Sequence, residues 1–218
     1  GFLGHDAEPS IEAQAATYKS VFDAFPGKHI VVRTLDAGAD KPLPFLNVNP
    51  EENPALGVRG FRTDWTVPGV LTRQLEAIKQ ASEDSDADIW VMAPMISTTS
   101  EARNFAKMLK EVDLPVHGVM VETPAAAVNA EAILGEVDFV SIGTNDLTQY
   151  TMAADRLLGD LAHLNNPWQP AVLKMIKLTV KGAKRASVNA GEKKYVSVCG
   201  EAAADPALAV VLVGLGVD

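Results

Sequence analysis

The sequence predicts an α/β fold built from parallel strands. Short β-branched runs alternate with longer amphipathic stretches, the order that parallel strands impose because each needs a crossover helix. Several runs are also apolar at nearly every position, as strands covered on both faces are.

Taken in order, Ser10 stands before Ile11-Glu12-Ala13-Gln14 as an N-cap, so a helix is expected near residues 9–25. Strands are expected over residues 30–34 and 57–61. Between them lies a polar, Pro-containing connection, residues 36–53, of a length that is often functional. A strand over 89–93 leads to Thr98-Thr99-Ser100-Glu101, which has the spacing of a capping box. Strands over 116–121, 139–142 and 195–199 follow, and Thr123-Pro124 and Asp205-Pro206 each set an N-cap residue before a proline. The last of these starts a helix near 206–213.

Six strands framed by helices fall short of a closed (β/α)₈ barrel, which takes eight strands and roughly 250 residues. One strand is therefore expected before Gly1 and another after Asp218. An open doubly wound sheet produces the same alternation. The placement of reactive residues favours the barrel, because five strand candidates end in or near a polar group: Arg33, Arg59 with Arg62, Glu122, Asn145 with Asp146, and Cys199. In a barrel these ends converge on one face, whereas an open sheet spreads them along an edge.

Composition narrows the partners. With 47% hydrophobic residues in 218 the chain is globular, and residues 1–218 read as one domain without repeat, low-complexity segment or linker. A formal charge of −9 offers no basic stripe for nucleic acid or anionic lipid. The single cysteine excludes an internal disulfide and points to a reducing compartment, with cytoplasm expected. Residues 207–217, a run without charge, are about half of what a bilayer span needs, and the first residues lack the pattern of a signal peptide.

Glu122 and Asp146 end successive strands and so can face one point; hard oxygen ligands in that number suit Mg²⁺, which completes its shell with water and substrate phosphate. Alternatively each acid caps the helix that follows it. Arg33 terminates an apolar strand, where a guanidinium requires an anion, either a ligand carboxylate or phosphate or the nearby Asp36. Arg59 and Arg62 lie on opposite faces of a continued strand, so at most one points inward. Arg156 can reach over the site from beyond Asp146 or face solvent, and Lys41 can meet a phosphate or water. Cys199 is either an inert buried thiol or, beside a metal and arginines, a proton donor to substrate carbon. The four histidines are dispersed, His117 a packed strand residue, His163 a loop residue, His5 and His29 at the surface. No glycine-rich phosphate loop is present.

Three segments carry a family resemblance. Residues 119–127 (VMVETPAAA), 141–151 (SIGTNDLTQYT) and 198–201 (VCGE) resemble motifs of the phosphoenolpyruvate-utilising enzymes, which include Enzyme I of the bacterial sugar phosphotransferase system, phosphoenolpyruvate synthase and pyruvate phosphate dikinase. Residues 33–41 (RTLDAGADK) and 51–62 (EENPALGVRGFR) resemble the Enzyme I branch more closely.

The resemblance implies a (β/α)₈ barrel that binds phosphoenolpyruvate with Mg²⁺ or Mn²⁺ and passes its phosphoryl group to a histidine on a separate N-terminal domain. That domain in turn serves a histidine-containing phosphocarrier protein, and the intact barrel is expected to be a homodimer. By motif position Glu122 and Asp146 correspond to metal ligands, Arg33, Arg156, Asn145 and Arg59 to substrate contacts, with Lys41 beside them, and Cys199 to the thiol that protonates C3 of the enolate. Ala39 and Ala204 stand where the family has glycine. The family's first-strand arginine is expected before Gly1, its eighth strand after Asp218, and its phosphohistidine and carrier-binding domains elsewhere. The alternatives are a synthase or dikinase barrel and, from another class, a module that senses phosphoenolpyruvate without turnover.

Overall fold

A computed structural model describes residues 7–37, 43–46 and 49–218. Among these, five strands run parallel, with hydrogen-bonded neighbours in chain order from β1 to β5 and helices between them. The predicted α/β class with a parallel sheet is therefore present. The chain divides into two compact units, Gly1–Pro94 with Lys107–His117, and Met95–Ala106 with Gly118–Asp218.

In the first unit α1 (Ile11–Ala24) packs on α2 (Val70–Ser82). Ser10 caps α1 by accepting the Ala13 N–H at 3.2 Å, as its position predicts. Phe22 of α1 and Leu75, Ala77 and Ile78 of α2 are buried, each large side chain contributing roughly 1.5–3 kcal/mol of burial energy. Strand β1 (His29–Arg33) pairs with β2 (Asp88–Ile96) in parallel, Val32 opposite Val91, and the Thr34 N–H extends the ladder to the Met92 carbonyl at 2.9 Å.

Two expectations are corrected in this unit. Residues 57–61 form no strand; the chain there runs through the 3₁₀ turns Pro54–Leu56 and Gly60–Trp65. Local side chains take over the backbone groups a ladder would use: Glu51 accepts the Val58 N–H at 2.8 Å, and the Thr63 hydroxyl donates to the Gly60 carbonyl at 2.8 Å. The long connection is also less polar than it reads, because Leu43 and Leu46 are buried with Ala37 and Val70 in a small apolar cluster joined by Leu35, Phe45 and Val67. Lys41 and Ala39 lie outside the described residues.

The second unit is built on β3 (His117–Val121), β4 (Phe139–Gly143) and β5 (Tyr195–Cys199), with Val121 opposite Ile142 and Gly143 opposite Cys199. Every position of β3 and β4 is buried, as their apolar runs predict, whereas β1 and β5 expose alternate residues. A single long helix, α7 (Pro170–Ala190), packs on α4 (Pro124–Val128), α5 (Ala130–Leu134) and α6 (Thr144–Met152), its Gly182 lying against Ala130 and Glu131 of α5.

The helix starts of this unit obey their signals. At α3 (Thr99–Glu111) the Glu101 carboxylate accepts the Thr98 N–H at 2.9 Å while the Thr98 hydroxyl accepts the Glu101 N–H at 3.2 Å, a reciprocal capping box. Thr123 caps α4 through the Ala126 N–H, and Asp205 caps α8 (Pro206–Leu215) through the Ala207 and Leu208 N–H groups.

Candidate functional site

In the second unit three neighbouring strand ends bring the predicted groups together. Glu122 follows the last residue of β3 and is 2% exposed. Its Oε2 accepts the Met95 N–H at 2.9 Å. Met95 itself has φ 57°, a left-handed conformation that an unbranched L residue adopts only where its surroundings impose it. On the β4 side the carboxylate lies against Gly143, where an added Cβ would come within 2.5 Å of Oε1. Only glycine admits this approach.

Across Gly143 stands Cys199, its register partner at the end of β5. The thiol is half-buried and donates to the Ile142 carbonyl at 3.5 Å. The Cys199-Gly200-Glu201 turn is fastened to the start of α6. Thr144 Oγ1 donates to the Cys199 carbonyl at 3.0 Å, and Asn145 Oδ1 accepts the Glu201 N–H at 3.2 Å. Gly200, at φ +85°, passes so close that a Cβ there would lie 2.9 Å from Thr144 Oγ1. With its Oδ1 engaged, Asn145 has its amide N–H groups as its remaining donors. Asp146, in the same turn, is buried at 6% exposure.

Arg156 is half-buried beyond the end of α6. Its backbone N–H donates to Gln149 Oε1 at 2.9 Å, and the Ala154 N–H donates to the Gln149 carbonyl at 3.1 Å.

The arginines of the first unit differ from expectation. Arg33 does end β1, but it is exposed, so burial does not force an anion upon it. Nor is Asp36 its partner: both Asp36 oxygens accept from Arg59, Nη2 at 2.7 Å and Nε at 3.2 Å, with the two side chains only 5% and 7% exposed. The absence of a strand at 57–61 removes the premise that Arg59 and Arg62 alternate faces; Arg59 is the buried one and Arg62 lies 5.9 Å over the Trp65 ring. Further anchors hold the turn after β1. The Leu35 N–H donates to Gln74 Oε1 at 2.9 Å, and Gln74 donates to the Tyr18 hydroxyl at 2.8 Å. Burial raises the Tyr18 pKa, so the phenol stays protonated.

His117 is buried with Nε2 at 2.9 Å from the Leu114 carbonyl, and His29 is exposed beside Asp88, both as expected. Gln74 and Met95 leave no local pattern, being a buried polar residue inside a helix and a left-handed methionine, and Gln149, though inside the 141–151 motif, carries no reactive group that would single it out.

The donor set suits a divalent hard cation. Among the described residues no three His, Cys, Asp or Glu side chains cluster as a complete protein cage, but Mg²⁺ takes one or two carboxylates and fills its shell with water and phosphate. Glu122 and Asp146 are two such carboxylates, both buried, and the missing Cβ of Gly143 makes room for the first of them at the end of β4.

Residues 2–218 match the model of the family described as PEP-utilising enzyme, PEP-binding domain. The chain belongs to that family. Its PEP-binding-domain relatives include the phosphoenolpyruvate-protein phosphotransferase of Streptomyces coelicolor, 51% identical over 218 residues covering 99% of this chain and 38% of the relative. Those of Staphylococcus carnosus and Bacillus subtilis are 39% and 40% identical over 229 residues, covering all of this chain and 39% of each relative. The chain thus spans about two-fifths of the curated relatives it matches. Among solved structures, an HpcH/HpaI aldolase from Desulfitobacterium hafniense aligns with a TM-score of 0.47 at 13% identity, over 93% of this chain and 79% of that one.

No helix among the described residues is long and apolar enough to cross a membrane.

Proposed function

We propose that this chain is the phosphoenolpyruvate-binding catalytic part of a phosphoenolpyruvate-protein phosphotransferase, folded as part of a (β/α)₈ barrel and using Mg²⁺ or Mn²⁺. The observation that carries the reading is the row formed by Glu122, Gly143 and Cys199 across the ends of β3, β4 and β5, with Asp146 opening α6 beside it. Family membership over residues 2–218 and the names of the relatives support the substrate.

Glu122 and Asp146 would hold the metal, which when bound supplies positive charge that offsets the phosphate and lowers the cost of separating it from the enol oxygen. The Asn145 amide donates to the substrate anion, and Arg156 grips it from beyond α6. Arg33, Arg59 and Lys41 are assigned to the same anion by motif position. Arg59, already bidentate with Asp36, is the pre-oriented member of that group.

In the reaction the bridging P–O bond breaks as a P–N bond forms to a histidine of a separate domain, leaving the enolate of pyruvate. Cys199 then gives its Sγ proton to C3, the enolate becomes the ketone, and the thiolate recovers a proton from water. A thiol suits this step because it carries a proton it can give up to carbon, and at the strand end it donates to the Ile142 carbonyl at 3.5 Å, beside the Glu122 and Gly143 ends. Onward transfer to a histidine-containing phosphocarrier makes this the first step of the sugar phosphotransferase system.

Calorimetry on the intact protein tests the reading. Phosphoenolpyruvate should bind only when Mg²⁺ or Mn²⁺ is present; metal-independent affinity, or none at all, overturns it. Mixing with a separate histidine domain should yield phosphohistidine and pyruvate, whereas binding without transfer identifies a sensor.

A further inference from the structure

We infer that Gln149 is a positioning residue that sets Arg156 relative to the Asn145–Asp146 end of α6, an inference that rests on reading Arg156 as a phosphoenolpyruvate contact. Gln149 is 7% exposed and supplies two acceptors to the turn that leaves the helix. Its carbonyl takes the Ala154 N–H at 3.1 Å and its Oε1 takes the Arg156 N–H at 2.9 Å.

Immediately before them sits Ala153, the helix C-cap, at φ 51° and ψ 43°. Helices that reverse through a left-handed residue ordinarily use glycine there. An alanine holds the conformation only when its surroundings over-determine it, and both Gln149 bonds hold residues of the turn that directly follows it. The backbone bond is the ordinary αL closure; the side-chain bond is the addition, and it reaches the arginine itself.

The helix makes the tether meaningful. Asn145 lies four residues before Gln149, on the same face of α6, and Asp146 is its neighbour in the first turn. One rigid segment of about two turns therefore carries the metal-ligand candidate at its start and fixes the arginine at its end. Nothing in the hydrophobic pattern requires a polar residue at 149, since the position is buried and a leucine or methionine would fill it. What only glutamine or glutamate provides there is an acceptor for the Arg156 N–H.

The test uses the intact protein in a double-mutant cycle of Gln149→Met and Arg156→Ala, with two readouts. The first is hydrogen exchange of the Arg156 amide, which reports the tether whether or not phosphoenolpyruvate binds. It should quicken at least about tenfold in Gln149→Met while β4 amides keep their protection, and stay slow in Gln149→Glu, which retains the acceptor. The second is phosphoenolpyruvate affinity with Mg²⁺. Gln149→Met should raise Kd about tenfold alone and less than about twofold in the Arg156→Ala background. Should the methionine variant not fold, Gln149→Asn, which withdraws the amide by one methylene, takes its place.

Equal losses in both backgrounds would overturn the inference, because a merely structural residue costs the same with or without Arg156. Unchanged exchange at Arg156 would overturn it independently. Failure of the wild-type protein to bind phosphoenolpyruvate while the exchange result holds would instead sink the functional reading, and with it the purpose assigned to Gln149.

Discussion

The acidic strand ends of the second unit and the acidic turn of the first are built differently, although both bury a carboxylate. Asp36 is met by a guanidinium through two hydrogen bonds, which turns the charge into part of a fixed pair. Glu122 is held by a backbone N–H, its approach to β4 made possible by a residue without a side chain. A carboxylate that accepts a backbone N–H is fixed to the strand it leaves, whereas one that accepts two guanidinium bonds orients that arginine. The contrast separates the group that would bind metal from the one that prepares a substrate contact.

The thiol is the sharpest place to break that division. Cys199→Ala should reduce pyruvate formation by about 10²- to 10⁴-fold in the intact protein while leaving phosphoenolpyruvate affinity with Mg²⁺ within about twofold, since a proton donor acts after binding. Pyruvate released at the parental rate would remove Cys199 from the chemistry. Next in size is Asp36→Ala, which removes the bidentate partner of Arg59, a guanidinium whose residue is 4% exposed. Loss of one member of a buried pair costs about 3–5 kcal/mol, so urea denaturation should show a loss of that order. A loss below about 1 kcal/mol would mean that the pair is no more than a surface contact.

Gly143→Ala probes the other side of the contrast. Its Cβ would press on Glu122 Oε1 and Cγ at 2.5 and 2.6 Å, an overpacking that typically costs about 1–3 kcal/mol. The carboxylate must turn or β4 must shift, so metal-dependent phosphoenolpyruvate binding should weaken by more than the stability loss explains. Thermal unfolding and calorimetry on the same variant would tell the two apart. A drop in melting temperature with unaltered affinity would place the metal elsewhere than Glu122.

These tests lean on features the sequence exposed unevenly. Caps were legible because a single side chain decides them: Ser10, Thr98 with Glu101, Thr123 and Asp205 each bond as their spacing implies. Strands β3 and β4 were legible from continuous apolar runs, which match burial at every position. Residues 57–61 misled because Val58 and Phe61 look like strand residues, while the deciding interaction comes from Glu51, whose carboxylate claims the Val58 N–H. The partner of Asp36 was likewise hidden, since a residue 23 positions away outcompetes one three positions away only in the folded chain. Among the site residues, those carrying reactive groups could be picked from the motifs. Those that hold them in place act through partners that only the folded chain supplies: Gln74 and Gln149 through side-chain bonds to distant or looped backbone, Met95 through its own N–H.

The smallest expected effect concerns an acid that is neither paired with arginine nor buried. Asp205 caps α8 and accepts the Trp168 indole N–H at 2.9 Å; that bond first, then the Leu208 and Ala207 N–H groups, lowers its pKa from the ordinary 3.8. A carboxyl lowered on folding contributes stability that is present above its unfolded value and is lost as pH falls through the lower folded value. The start of α8 should therefore loosen only below about pH 4, with Trp168 emission reporting the change in a Trp65→Phe, Trp90→Phe background. Asp205→Asn retains an oxygen acceptor but has no charge to lose, so its emission should stay flat over the same range. Identical acid transitions in both proteins would show that the cap is not the titrating group. A transition confined to the aspartate would identify the Asp205 cap as the group whose protonation loosens the start of α8.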